Sequence, residues 1–265
     1  MTTWFNFFLR KKSSIAEGLE ELLSYGVEEV SMLEDLEEEL TYFCGKTKKE
    51  SFPLQWVHIE SCIPLAEDID WVQQWELFCP YFIEGMCKIP LSDFSANNTK
   101  YLRLSPGAGF GDLSHPTTRL MMELMNSYIQ DKTVVDLGCG SGVLGLFALQ
   151  LGSEKVYGLD IDLKALEHTK ENARLNQLED KIFVGFDLPE EVFPDVLLLN
   201  MIWEEQKQAL ASFPTSKCAL WIVSGILEEQ EKDYLLFVKQ FSLKAQKIVK
   251  KEGWIGLVLV KEPIL

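Results

Sequence analysis

The segment VVDLGCGSGVLG carries Gly138, Gly140 and Gly142 at alternate positions, directly after an apolar strand-like run and directly before a helix-like one. A strand that turns at once into a helix needs residues whose backbone tolerates unusual dihedrals and whose lack of a Cβ lets a ligand come close. The turn alone leaves the ligand open, since nicotinamide enzymes seat a pyrophosphate on the helix N-terminus at a comparable place. Two acids narrow the choice. Asp136 lies just before the glycines, where a carboxylate would face an amino group, and Asp160 ends the next strand, VYGLD, where a carboxylate can grip both hydroxyls of a ribose. Asp162, just ahead of Leu163, is the better candidate for the helix cap. A third polar residue, Asn200, follows the apolar run VLLL. Its amide carbonyl could accept a hydrogen bond from an amine and orient the lone pair, although asparagine also ends strands as an ordinary turn residue.

These features favour S-adenosylmethionine as the ligand. Hydride transfer is disfavoured, because the usual dehydrogenase spacing places an early glycine where this chain has Asp136. A sulfonium is already a good leaving group, so the remaining work is to align a nucleophile with the methyl carbon. For a lysine amine, with a reference pKa of about 10.4, forming the neutral nucleophile at pH 7 costs about 4.6 kcal/mol, and Asp112, Asn200 or water could help remove the proton.

The elements that must position these residues are legible from Pro116 onward. A helix runs through Gln130, and then TVVDLG, a helix after Gly142, KVYGLD, a helix through Asn176, KIFVGF, DVLLLN, a helix from Trp203 and CALWIVSG follow in alternation. This is the grammar of an α/β fold with a doubly wound parallel sheet, and its strands are continuous apolar runs, as expected when helices cover both faces. SLKAQKIVKKEGWIGLVLVKE adds a closing antiparallel hairpin with its turn at Glu252 and Gly253. The front of the chain reads differently: WFNFFL, a helix over Ile15 to Tyr25, VEEVSML, ELTYFCG and WVHIES form an α+β pattern. Trp71, Trp75 and Phe78 share one helical face and are expected in the core. The polar stretch from Ser92 to Lys100 suggests a hinge or loop between domains. The expected domains are residues 1–94, a small α+β substrate-recognition domain; 95–115, a linker and lid; and 116–265, the catalytic domain.

The net charge of −16 over 265 residues disfavours direct nucleic-acid binding and suits a cationic protein partner, with simple solubility as the plainer account. The acidic cluster between Glu17 and Glu39 is either a solvated face or a docking surface. No apolar run approaches the roughly twenty residues of a membrane helix. Trp4 to Leu9 precedes the basic Arg10, Lys11 and Lys12, the reverse of a secretory signal, so a cytoplasmic protein is expected. Six cysteines without a C-x-x-C pair suggest reduced buried thiols and no metal site.

DLGCGSG with the strand-ending Asp160 resembles the paired signatures of class I methyltransferases. Four further segments, SPGAGFGDLSHPTT, Asn200 in LLLNMI, VSGILEEQ and EGWIGLVLV, resemble the ribosomal protein methyltransferase family often called PrmA. The resemblance implies a seven-stranded, mostly parallel Rossmann-like sheet behind the small front domain. It also implies a monomer that uses S-adenosylmethionine to methylate amino groups of a basic protein of the large ribosomal subunit. Carried over residue by residue, Thr117 would touch the cofactor from the preceding loop, Gly138 would line its methionine end, and Asp160 and Ile161 would hold the nucleoside. Asn200 would contact cofactor and substrate, while His115 and Phe110 would shape a lid between Leu104 and Thr118. The family's loop usually reads A-F-G-T-G-x-H-x-T-T; here it reads GFGDLSHPTT, with Asp112 and Leu113 in place of Thr-Gly. That change keeps two alternatives in play: an enzyme of the same fold acting on another basic protein or a small amine, and a non-catalytic cofactor-binding adaptor. Asn200 followed by Met201, Ile202 and Trp203 departs from N-P-P-[YF], which argues against adenine or glutamine methylation.

Overall fold

In the computed structural model of the chain, seven strands form a sheet in the order β10-β9-β8-β11-β12-β14-β13, built from Ile182–Gly185, Lys155–Leu159, Thr133–Leu137, Val196–Asn200, Leu220–Leu227, Trp254–Lys261 and Leu243–Lys251. The first five are parallel, and β14 enters antiparallel between β12 and β13. The structure describes residues 3–9, 15–35, 40–47, 54, 57–64, 70–95 and 98–262.

The central strands are apolar throughout because each face has its own helices to bury against. Val134, Leu198, Ile222 and Val258 point to one side, where they pack with α3 (Pro116–Met125) and α4 (Val143–Gln150). Their neighbours Val135, Leu197, Leu199, Val223 and Leu257 point to the other, against Leu210 of α6 (Trp203–Ser212) and Tyr234 and Val238 of α7 (Glu231–Val238). The alternation follows from the two-residue period of a strand. Each fully buried leucine or valine contributes roughly 2 kcal/mol of burial free energy. Helix α5 (Leu163–Leu175) begins where Asp162 accepts the Lys164 N–H, as expected for the cap. The β13–β14 turn falls on Glu252 and Gly253, both left-handed at φ 53° and 78°.

The chain forms two compact units, Met1–Asp70 and Trp71–Leu265. The first contains α1 (Ile15–Ser24) and a sheet of order β2-β3-β1-β4, made from Glu28–Asp35, Leu40–Thr47, Thr3–Leu9 and Val57–Pro64. Leu19, Leu22, Val27, Phe43 and Val57 are buried within it. The division falls before the boundary expected at Phe94. Residues 71–104 join the larger unit because Trp75 of α2 (Trp71–Phe78), Cys87 and Ile89 of β6 (Met86–Pro90) and Leu102 and Leu104 of β7 (Tyr101–Leu104) share its core. With β5 (Phe82–Ile83) these strands make a small antiparallel sheet. The stretch from Ser92 to Lys100, expected as a hinge or loop between domains, connects two paired strands of the larger unit, β6 and β7. Of the three aromatics expected in the core only Trp75 is buried; Trp71 is half-buried and Phe78 is exposed, because α2 packs through a single narrow stripe. Cys79, Cys87, Cys139 and Cys218 are free and buried, and no metal-ligand cluster occurs among the described residues. No described helix is long and apolar enough to cross a membrane.

Candidate functional site

At the carboxyl edge of the sheet, where doubly wound folds open their ligand crevice, β8 runs into the glycine turn. Gly138 and Cys139 donate to the Leu159 carbonyl at 2.8 and 3.0 Å, clasping the turn to the end of β9. The Asp160 carboxylate then organises both banks: Oδ2 accepts the Gly140 N–H at 3.0 Å and Oδ1 accepts the Asp162 N–H at 3.0 Å. Each oxygen keeps a further lone pair for a ligand hydroxyl. Beside it Ile161 is 96% exposed, an apolar surface with no protein partner to bury it. Gly140 is required sterically as well as by its φ of 55°, since a Cβ there would lie 2.6 Å from the Phe110 carbonyl oxygen.

Asp136 is 2% exposed, and its Oδ2 accepts the Gly145 N–H of α4 at 2.9 Å. The alternation of β8 puts residue 136 on the α4 side of the sheet, and burial pushes its pKa up to about 7 despite that hydrogen bond.

The strap from Ser105 to Ser114 crosses the glycine turn. The Phe110 carbonyl accepts the Ser141 N–H at 2.8 Å and the Gly111 carbonyl accepts the Ser141 hydroxyl at 3.2 Å. Phe110 itself remains 46% exposed. The two residues that depart from the usual pattern are both engaged. Asp112 accepts the Ser114 N–H and hydroxyl at 3.0 and 2.6 Å, closing a tight local turn. Leu113 keeps a left-handed φ of 71°, where glycine is at ease, yet its side chain is fully buried in the main core. Arg119 reaches the carbonyls of Leu113 and Ser114 and holds Glu252 through both carboxylate oxygens.

His115 caps α3, with Nδ1 accepting the Thr117 N–H at 3.3 Å, and Pro116 fills the first helical position. The Thr117 hydroxyl turns to the same ring nitrogen at 2.8 Å, and the residue is buried. His115 stands between Phe110 and Trp254, with ring centroids 5.8 and 4.9 Å away. Burial holds its pKa down at about 3, so the ring is neutral.

Asn200 ends β11 on the same side of the sheet as Leu198. Its Oδ1 is buried and finds no hydrogen-bond partner among the described residues. The next turn is fixed by Gln206, which donates to the Met201 and Ser224 carbonyls at 2.6 and 2.8 Å and receives the Tyr234 hydroxyl at 2.5 Å. Gly138, Gly140 and Gly142 thus form one turn at the carboxyl edge of the sheet, tied through Gly140 to Asp160, with exposed Ile161 next to it. Gln206, Trp254 and His168, a strap contact, were not anticipated: each is one polar or aromatic residue within an ordinary amphipathic segment, and its role arises from elements far away in sequence.

A model of the family described as ribosomal protein L11 methyltransferase (PrmA) matches residues 9–262. The ribosomal protein L11 methyltransferase of Escherichia coli O8 (strain IAI1) is 34% identical over 215 residues, covering 77% of this chain and 72% of that protein. Its namesake in Alteromonas mediterranea is 40% identical over 173 residues, covering 62% and 59%. A crystal structure of the ribosomal protein L11 methylase from Lactobacillus delbrueckii subsp. bulgaricus aligns with a TM-score of 0.55 and 25% identity, over 66% of this chain and 99% of that one. With the glycine turn, the strand-ending acid and the closing hairpin all in place, the chain belongs to the ribosomal protein L11 methyltransferase (PrmA) family of S-adenosylmethionine-dependent methyltransferases.

Proposed function

We propose that this enzyme methylates amino groups of ribosomal protein L11, with Asn200 as the residue that receives the amine. The observation that carries this reading is the buried Asn200 Oδ1, without a hydrogen-bond partner among the described residues, at the carboxyl edge of the sheet. A buried carbonyl without a partner costs on the order of 1–3 kcal/mol, and an incoming N–H would satisfy it. An amine bound there donates one hydrogen to Oδ1 and turns its lone pair away from the amide.

The residues present fit S-adenosylmethionine, which when bound supplies a methyl group on a sulfonium. Asp160 would hold the ribose hydroxyls with its remaining lone pairs, exposed Ile161 would lie against the adenine, and the turn from Gly138 to Gly142 would follow the methionine end. Phe110 would cover the crevice from the strap, and Thr117, tied to His115, would define its far wall. Asp136 would act from below, by fixing the start of α4. The acidic chain suits a cationic substrate, and residues Met1–Asp70 form the unit we assign to recruiting it in the cytoplasm. Incubation with purified L11 and labelled S-adenosylmethionine, followed by mass spectrometry, tests the proposal. Label should enter L11 amino groups, and Asn200→Ala should lower kcat about 10²-fold while S-adenosylmethionine still binds. Label appearing only on other proteins or on small amines would overturn the substrate.

A further inference from the structure

We infer that His168 is a positioning residue that latches the strap onto the glycine turn and thereby sets the affinity of the crevice for S-adenosylmethionine; the inference rests on the cofactor reading above. His168 lies on α5, outside the short segments that carry the family resemblance in the sequence. Its ring bridges two strap residues: Nδ1 accepts the Gly109 N–H at 3.1 Å, and Nε2 lies 2.7 Å from the Ser105 carbonyl. A carbonyl can only accept, so Nε2 carries the proton and Nδ1 the lone pair, which fixes the neutral Nε2–H tautomer. The strap bends closely around the ring, for a Cβ on Gly107 would lie 2.6 Å from Nε2. Trp75 backs the ring edge-on at 5.8 Å.

One turn further along the same helix face, Asn172 completes the attachment. Its Oδ1 accepts the Ser105 N–H and hydroxyl at 2.8 and 3.0 Å, while its Nδ2 donates to the Ser141 carbonyl at 2.8 Å. Asn172 ties the strap to the turn, and His168 sets the strap's curvature. The consequence passes to the next residue, because Gly109 precedes Phe110, whose carbonyl holds Ser141. Burial lowers the pKa of His168 against the opposing charge of Glu171, which keeps the lone pair available to Gly109.

A latch acts on affinity by a stated rule: if only a fraction of molecules hold the strap in place, the apparent dissociation constant rises by the inverse of that fraction. The test uses full-length wild type, His168→Ala, His168→Asn and His168→Gln. Hydrogen exchange of the Gly109 and Ser141 amides is measured without cofactor, and S-adenosylmethionine affinity by calorimetry. His168→Ala should speed exchange at least about tenfold and raise the apparent dissociation constant by the inverse of the latched fraction that those exchange rates give. His168→Asn, which returns an acceptor for the buried Gly109 N–H, should recover more of both than His168→Gln, which returns only the donor toward Ser105. Unchanged exchange, or weaker affinity at unchanged exchange, would overturn the latch. If the alanine variant does not fold, the order of Asn over Gln decides. A wild type that binds no S-adenosylmethionine would sink the cofactor reading while the exchange comparison still judges the latch.

Discussion

Truncating Leu113 separates two effects that the native side chain combines. The residue is 0% exposed and holds φ 71°, so it gains the burial of a core leucine while carrying a backbone conformation that costs a non-glycine residue roughly 1–2 kcal/mol. Leucine-to-alanine changes in cores cost about 2–5 kcal/mol. Leu113→Ala keeps the strained backbone and loses the packing, so a destabilisation of about 3 kcal/mol is expected. Going on to glycine normally costs a further 0.4–1 kcal/mol or so through unfolded-chain entropy. Here relief of the left-handed strain opposes that cost, so Leu113→Gly should be as stable as Leu113→Ala or about 1 kcal/mol more stable. Urea unfolding followed by tryptophan fluorescence reports this, because Trp221 and Trp254 are buried in the larger unit. An alanine variant within about 0.5 kcal/mol of wild type would show that Leu113 does not anchor the strap. A glycine variant about 1 kcal/mol below alanine would show that the residue is not left-handed.

Asp160→Ala should weaken S-adenosylmethionine binding by about 2 kcal/mol in calorimetry, since two hydroxyls lose their acceptor and the Gly140 N–H loses its partner; unchanged affinity refutes the ribose role. Asp136→Asn should alter the pH dependence of stability. The carboxyl's pKa is raised from 3.8 to about 7, so its contribution is full below pH 3.8 and is lost as pH rises through about 7. The variant, which keeps an acceptor for Gly145, should therefore gain on wild type between those values by at most about 1.4 kcal/mol per pH unit in urea titrations, and parallel profiles would refute the burial argument. A chain beginning at Trp71 should fold and bind S-adenosylmethionine but fail to methylate L11, whereas one beginning at Leu102 should not fold, because Cys87, Ile89 and Leu91 belong to the core. Circular dichroism and calorimetry on the two fragments distinguish these outcomes.

Local chemistry made the catalytic half legible in the sequence. Continuous apolar strands, a glycine turn that only a close backbone approach explains, an acid at the end of the next strand and a two-residue turn at Glu252 and Gly253 are signals carried within a few residues. They determined the sheet, the glycine turn at its carboxyl edge and the strand-ending position of Asp160. The tertiary structure alone decided what depends on distant partners. Asp136 is adjacent in sequence to the glycine turn, but strand alternation buries it against α4. Leu113 reads as a break in a flexible loop, yet a pocket in the core makes it an anchor. Residues 71–94 look like part of a front domain, since nothing local reveals that Trp75 and Ile89 bury themselves in the larger unit. His168 carries no signal at all in LEHTKEN, for its two partners lie more than fifty residues earlier, and only the folding of the strap over α5 gives its ring nitrogens something to bind.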